Sequence, residues 1–262
     1  MSGMPAADAA APLTDRRIIL SAEGLSKHYG QVTALDDVSL AIGEGEIVAL
    51  VGDNGAGKST MISILTGLVQ PDAGVLRLDG EEVLIESPRH AQELGIATVF
   101  QNLALVNQRE VAANLFLGRE PTKFGFIVDR RRMVEQAAEA VQRLRVGLPN
   151  VRALAGDLSG GQRQAVAVAR AIVGGGRVLL MDEPTAALGV RETRRVIEFV
   201  KELRAQGMSI LLISHNMQDV FELADRVVIF RQGKKVGERV ISETSMDEVV
   251  GLIVGNSYGS EA

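Results

Sequence analysis

Ile47-Val48-Ala49-Leu50-Val51-Gly52-Asp53-Asn54-Gly55-Ala56-Gly57-Lys58-Ser59-Thr60 decides how the rest of this chain is read. From Gly52 onward it fits G-x-x-x-x-G-K-[ST], the phosphate-binding P-loop pattern. The five apolar residues before it read as a buried strand. Behind it, Met61, Ile62, Ile64 and Leu65 fall at helical spacing. Gly52, Gly55 and Gly57 let the backbone bend where a Cβ would obstruct it. Successive N–H groups then turn inward as an anion-binding nest, and the helix N-terminus adds about half a positive charge. Lys58 is placed to reach β- and γ-phosphates, and Ser59 to offer its hydroxyl to Mg²⁺. A plain glycine turn is the competing explanation, but strand, loop, lysine, serine and helix all stand in register.

With 262 residues the chain can bury a sizeable core. Its apolar share of 46% and charged share of 23% are those of an ordinary globular protein. The formal net charge of −5 argues against nucleic acid as a partner, which usually selects a basic surface. With no cysteine there is no disulfide and no thiolate metal site, as suits a reducing compartment. No apolar run approaches the roughly 18 residues of a membrane-spanning helix. Residues 1–16 lack a basic segment followed by an apolar one, so they are expected to form a disordered tail rather than a secretory signal.

Outward from the P-loop, Ile18–Tyr29 and Val32–Ile42 read as strands joined at Gly30-Gln31, and Val75–Leu78 as another. These form an expected antiparallel region. Pro88–Leu94 reads as a short helix ended by Gly95, then Ile96–Phe100 as a buried strand with Gln101 at its end. From about 102 to 156 no convincing strand is found, and a helical subdomain is expected. There Asp129 caps a helix with Met133, Ala137, Val141 and Leu144 on one face, stopped by Gly147 and Pro149. Helix and strand then alternate: Gln162–Val173, Val178–Met181, Arg191–Ala205, Met208–Ile213 and Asn216–Leu223. A hairpin about Gly233 and a helix from Ser245 to Val254 follow, then a tail at 256–262. Such alternation implies an α/β fold with a mostly parallel core sheet.

Two further motifs carry chemistry. The strand Val178–Met181 runs into Asp182-Glu183, paired carboxylates whose side chains diverge. Asp182 suits Mg²⁺, and Glu183 suits a base or a group that positions water. A solvated acidic pair is the alternative, disfavoured by the P-loop upstream. Leu158-Ser159-Gly160-Gly161-Gln162 opens a helix with a capping serine and glycines that let backbone N–H groups approach an anion. On physics alone an ordinary capped helix start would explain it equally well.

Together these residues resemble an ATP-binding-cassette (ABC) ATPase, from about Ile18 to Gly255. Leu158–Gln162 matches that family's signature letter for letter. The resemblance implies the P-loop NTPase cassette, with a core sheet, an antiparallel β subdomain and a helical subdomain in one ATPase domain over 17–255. It implies ATP and Mg²⁺ as cofactors and a head-to-tail dimer with a second ATPase subunit. Ser159, Gly160, Gly161 and Gln162 would then meet the nucleotide held by the partner's Gly52, Asp53, Asn54, Gly55, Ala56, Gly57, Lys58, Ser59 and Thr60, since the two copies are alike. Tyr29 matches the aromatic that stacks on adenine, a core tyrosine being its alternative. Gln101 matches the glutamine at Mg²⁺ and attacking water, and His215 the histidine on the γ-phosphate. With Lys58 and Glu183 these make the expected catalytic set; Ser59, Gln101 and Asp182 make the metal set. One departure stands out: Gly189 occupies a position where the family commonly has aspartate, so a carboxylate role there is absent.

Ser159 lies 101 positions after Lys58, which leaves no room for the long coiled coil of DNA-repair members. A single cassette is unlike the double-cassette translation factors, and the lack of membrane helices is unlike fused exporters. Asp53–Gly57, Phe100–Leu105, Asn114–Glu120 and Ile213–Asn216 resemble bacterial monosaccharide importers of the ribose, xylose and fructose type. That implies a separate transmembrane permease, a periplasmic sugar-binding protein as indirect partner, no nucleic acid, and a peripheral place on the cytoplasmic face of the inner membrane. A non-transport ABC ATPase and the cassette of an unfused exporter are the alternatives.

Overall fold

The computed structural model describes residues 16–144, 148 and 150–255. Apart from Arg16, the expected tails lie outside the described residues, as do Gly147 and Pro149. Arg16 itself lies against Asp225, at 3.4 Å.

The framework is a six-stranded sheet built on β3 (Ile47–Val51), the strand that feeds the P-loop. Its five residues are all buried, as expected for a strand covered on both faces. The sheet contains β6 (Ile96–Val99), β9 (Val178–Asp182), β10 (Ser209–Ile213), β11 (Arg226–Arg231) and β12 (Lys234–Val240), in the order β12-β11-β3-β10-β9-β6. Five run parallel and β12 runs antiparallel at the edge. The register is continuous: Leu50 pairs with Ile213, which pairs with Asp182.

A second, antiparallel sheet has the order β2-β1-β4-β5, from β1 (Ile18–Tyr29), β2 (Val32–Gly43), β4 (Ala73–Leu78) and β5 (Glu81–Glu82). Helix α1 (Lys58–Leu65) shares a core with both sheets: Met61, Ile62, Ile64 and Leu65 lie with Leu20, Leu25, Leu35 and Ile42 on one side and Val48, Leu50 and Leu211 on the other. The opposite face of the central sheet packs against α3 (Val111–Leu115), α4 (Arg130–Arg143), α5 (Gly160–Val173) and α6 (Val190–Ala205). In α4 the expected stripe of Met133, Ala137, Val141 and Leu144 is buried, and Asp129 caps the first turn by accepting from Arg132 N–H. In α6, Val196, Val200 and Leu203 face inward, and Gly207 follows in a left-handed conformation, φ 88°. A smaller core joins Ala49 and Val51 to α7 (Met217–Leu223) and α8 (Met246–Val254), the latter capped by Ser245 as expected. The short helix α2 (Pro88–Glu93) precedes β6.

One expectation needs correction. The stretch between Gln101 and Gly156 does contain strands: β7 (Thr122–Lys123) and β8 (Ile127–Val128) form a small hairpin. Only two residues of each strand pair, so no apolar run or alternation marked it. Its tip exposes Phe124 and Phe126, which carry no core periodicity because they enter no core.

The two sheets are tied by a buried ion network. Arg226 on β11 donates from Nε to Glu46 at 2.9 Å and from a terminal nitrogen to the Ala41 carbonyl of β2 at 2.7 Å; it also pairs with Glu238. Glu46, 3% exposed, accepts from Gly43 N–H as well. Removing one member leaves the other charge buried without compensation. Arg226→Ala is therefore expected to lower unfolding free energy by about 3–5 kcal/mol. A urea titration should show the lower midpoint, and adding Glu46→Gln should recover part of the loss.

Candidate active site

Parallel strands send all their C-terminal ends to the same edge of a sheet, and ligands bind there in open α/β folds. Four strands deliver chemistry to that edge: β3 gives the P-loop, β9 gives Asp182 and Glu183, β10 gives His215, and β6 gives Gln101. Neighbouring strands lie about 4.8 Å apart, so β6 is roughly 14 Å from β3 across two intervening strands. Gln101 is thus at the far end of the array, exposed, with Lys58 at the near end.

The P-loop is pressed from two sides. Gly52 has φ 149°, and a Cβ there would stand 2.2 Å from the Phe230 carbonyl oxygen. A Cβ on Gly57, φ 104°, would meet the Ala34 carbonyl oxygen at 2.6 Å. Gly55 meets nothing within 4 Å; its requirement is the left-handed φ of 80°. Ala56 is buried, its N–H donating to the Asp53 carbonyl and its carbonyl accepting from Gly233 N–H. Gly57 begins α1 with no side-chain cap, which leaves the first N–H groups of the helix for an anion. Asn54 is exposed on the loop, and Ser59 and Thr60 lie in the first turn.

Lys58 folds back over this loop. Its Nζ donates to the Gly52 carbonyl at 2.5 Å and the Asp53 carbonyl at 2.9 Å. Burial pushes its ammonium below the usual lysine range, against the pull of Glu183, Asp53 and Asp182. The Asp182 carboxyl is held above the usual carboxylate range, first by burial and then by the charge of Glu183, with Lys58 opposing. A half-buried carboxylate that resists ionisation and faces a lysine suits a divalent cation, whose charge reverses that penalty.

Glu183 leaves the strand in a left-handed conformation, φ 50°, rare for a residue with a side chain. Its N–H donates to the Ile213 carbonyl at 2.9 Å. Its Oε2 lies 2.8 Å from His215 Nδ1 and accepts from His215 N–H at 3.4 Å. This backbone turn, more than strand alternation, separates its carboxylate from that of Asp182. Local strain of this kind is held by surrounding contacts, here including the Thr185 hydroxyl, which donates to buried Asp219 at 2.6 Å. Sequence reasoning missed Asp219. The only available signal was an acid in the first turn of α7, four positions after His215.

Tyr29 ends β1 beside the turn at Gly30, with 48% of its surface exposed. A core tyrosine it is not. Lys27 Nζ stands 5.8 Å from its ring centroid. The hairpin that carries it also places Ala34 against Gly57, so it borders the P-loop.

The signature residues open α5 (Gly160–Val173). Ser159 caps α5 in a reciprocal capping box: it accepts from Gln162 N–H at 3.4 Å, and its own N–H donates to Gln162 Oε1 at 3.0 Å. A Cβ on Gly160 would meet Leu188 Cδ2 at 2.7 Å, and one on Gly161 would meet Glu192 at 3.5 Å. The signature turn therefore rests on the segment that follows Glu183. Gly189 is the N-cap of α6 without a side chain to cap it, and the Glu192 carboxylate comes within 2.7 Å of where its Cβ would be. A carboxylate is present at this turn after all, supplied from three residues further on.

A family profile described as ABC transporter matches residues 35–186. The chain is 47% identical over 244 residues to the fructose import ATP-binding protein FrcA of Rhizobium meliloti, covering 90% of this chain and 94% of that one. It is 41% identical to the xylose/arabinose import ATP-binding protein XylG of Sulfolobus acidocaldarius, covering 92% and 96%. It is 45% identical to the ribose import ATP-binding protein RbsA of Chromobacterium violaceum, but spans only 47% of that relative's length. Among solved structures, a nucleotide-free ATP-binding cassette from an ABC transporter superposes with a TM-score of 0.79 at 26% identity, over 93% of this chain and all of that one. The ADP conformation of another such cassette gives 0.78 at 27% identity, over 90% and 95%.

The raised Asp182 carboxyl has a consequence for stability. The folded chain binds its proton more tightly than the unfolded chain, so this group costs stability as pH rises through the interval above 3.8. Asp182→Asn removes that cost. The variant is expected to melt higher than the parent at pH 7 without ligand, and the gap should close toward pH 4. Thermal melts across that range test it; a gap independent of pH would assign the difference to another cause.

Proposed function

As the chain belongs to the ABC transporter family, we propose that it is the ATP-binding and hydrolysing subunit of an importer that takes up a monosaccharide through a separate permease. The observation that carries the ATPase reading is the gathering of the P-loop, Asp182, Glu183 and His215 at one sheet edge. The importer reading rests on the relatives, fructose, xylose/arabinose and ribose import subunits by name. The chain covers 94% and 96% of the first two relatives. None of these relatives favours a non-transport ATPase or an exporter.

The residues act as follows. Lys58 and the N–H groups of Gly52–Thr60 bind the β- and γ-phosphates, and Tyr29 stacks on adenine. Ser59 and Asp182, with Gln101, would hold Mg²⁺, which when bound would neutralise phosphate charge. A Mg²⁺ ion takes one or two protein carboxylates and completes its shell with phosphate and water. Glu183 takes the proton of the attacking water or orients it, and His215, hydrogen-bonded to Glu183 at 2.8 Å, fixes that carboxylate and faces the γ-phosphate. Ser159–Gln162 meet the nucleotide of a second copy in a head-to-tail dimer. The helical segment at 102–156 of the 17–255 domain transmits closure to the cytoplasmic helices of the permease. The chain then works at the cytoplasmic face of the membrane, with a periplasmic sugar-binding protein as indirect partner; among the described residues no helix is long and apolar enough to cross a membrane.

Glu183→Gln is expected to lower steady-state ATP turnover by 10²-fold or more while keeping ATP binding and favouring a stable dimer. Turnover at the parent rate would overturn the base assignment. Tyr29→Ala should weaken ATP binding by about 1–3 kcal/mol, the usual worth of a base stacked on an aromatic ring. Inorganic triphosphate, which has no base, should bind both forms alike by calorimetry. Co-purification from gently solubilised membranes should recover a polytopic permease, and a soluble partner in its place would overturn the importer reading.

A further inference from the structure

The Gln101 loop and the signature helix are physically joined by one side chain. Arg170, in the last turn of α5, donates from one terminal nitrogen to the Ala104 carbonyl at 2.8 Å and from the other to the Leu103 carbonyl at 2.7 Å. A guanidinium fork grips two acceptors at once in a way an ammonium cannot. The loop it grips is sharply turned. Ala104 has φ 47°, and its N–H donates to Asn102 Oδ1 at 3.2 Å. Arg119, which follows α3, donates to the Arg170 carbonyl at 3.0 Å, so α5 is braced at the same point from a second side.

Arg170 sits eleven residues after Ser159, about 16 Å along one helix. That helix is held along its length: Val166, Ala167, Val168 and Ala169 are all buried, and its start is fixed by the capping box. A displacement of the 101–104 loop therefore moves α5 as a rod rather than being absorbed on the way. At its other end the rod rests on Leu188, in the segment leading from Glu183 to α6, and on Glu192 in the first turn of α6. No described carboxylate pairs with Arg170. Burial and the nearby Arg119 push its guanidinium below the usual arginine range, and the groups it donates to are the Leu103 and Ala104 carbonyls. A half-buried guanidinium whose two terminal nitrogens both go to loop carbonyls points to a role beyond packing.

We propose that Arg170 is a positioning residue for hydrolysis, holding Gln101 through Leu103 and Ala104 and transmitting the state of that loop to the signature turn at Ser159. The inference rests on the roles given above to Gln101 and Ser159. Arg170 does not itself touch nucleotide.

The test is a double-mutant cycle on the full-length chain, read by ATP turnover as a function of ATP and of Mg²⁺. Arg170→Lys is expected to lower kcat about tenfold, leave KM for ATP within about threefold, and raise the Mg²⁺ concentration needed for half-maximal turnover. In a Gln101→Ala background the same change should cost less than twofold, because the side chain it acts through is gone. Equal losses in both backgrounds, or an unchanged kcat, would overturn the proposal. So would a loss fully accounted for by a lower folded fraction in thermal melts. Asn102→Ala loosens the same loop without touching α5 and should reproduce the non-additive pattern even if Arg170→Lys folds poorly; additive costs there would count against the proposal. Glu183→Gln serves as the separate check on the ATPase reading. If that variant turns over normally, the site assignment fails whatever Arg170 does.

Discussion

The space between Gly52 and Phe230 allows no side chain. A Cβ would stand 2.2 Å from the Phe230 carbonyl, and on the other side of the loop a Cβ on Gly57 would stand 2.6 Å from the Ala34 carbonyl. The P-loop is therefore clamped between the end of β11 and the hairpin of β1 and β2. That clamp fixes the direction in which the loop's N–H groups point, and thereby where a phosphate can sit. It also explains the Arg226 network: if the antiparallel sheet drifted from the central sheet, Ala34 would leave Gly57, so Arg226 joins Ala41 to Glu46 where the sheets meet. A stability feature far from the chemistry thus maintains the geometry of the loop.

The electrostatics follow from the same packing. Lys58, Asp182 and Glu183 interact in a half-buried space, and each of the first two is pushed toward its neutral form. Neither is at rest without a polyanion and a cation. In the proposed function, phosphates would replace the Gly52 and Asp53 carbonyls as partners of Lys58, and a divalent cation would offset the charge of Glu183 at Asp182. The site is built to be completed by charged ligands, at some cost to the stability of the free chain.

Helix α5 relates the two halves of that chemistry. At one end the capping box presents Ser159, packed through Gly160 on Leu188; at the other Arg170 holds the loop after β6. The segment from Glu183 to Gly189 lies under the first end, and its own shape depends on the left-handed Glu183 and Ala187 and on Thr185 bound to Asp219. Side chains that would face different nucleotides in a dimer are thus coupled within a single chain by short, stiff links.

Local order was legible in the sequence. The P-loop, the buried run of β3, the caps Asp129, Ser159 and Ser245, and the inward stripes of α4 and α6 all follow from spacing, from glycine and from capping chemistry, because those signals act within a few residues. The hairpin at Thr122–Val128 escaped because two residues per strand make no period. The membership of Tyr29, Gln101 and His215 in the site was legible only by resemblance. No local rule places Gln101, Asp182 and His215 side by side; the parallel order β3-β10-β9-β6 does, by bringing separate strand ends to one edge. The left-handed turn of Glu183, its hydrogen bond to His215, the Glu192 carboxylate over Gly189 and the Arg170 grip belong to the tertiary structure alone. Each joins residues distant in sequence or depends on a backbone conformation that its own side chain does not favour, and only the surrounding packing selects it.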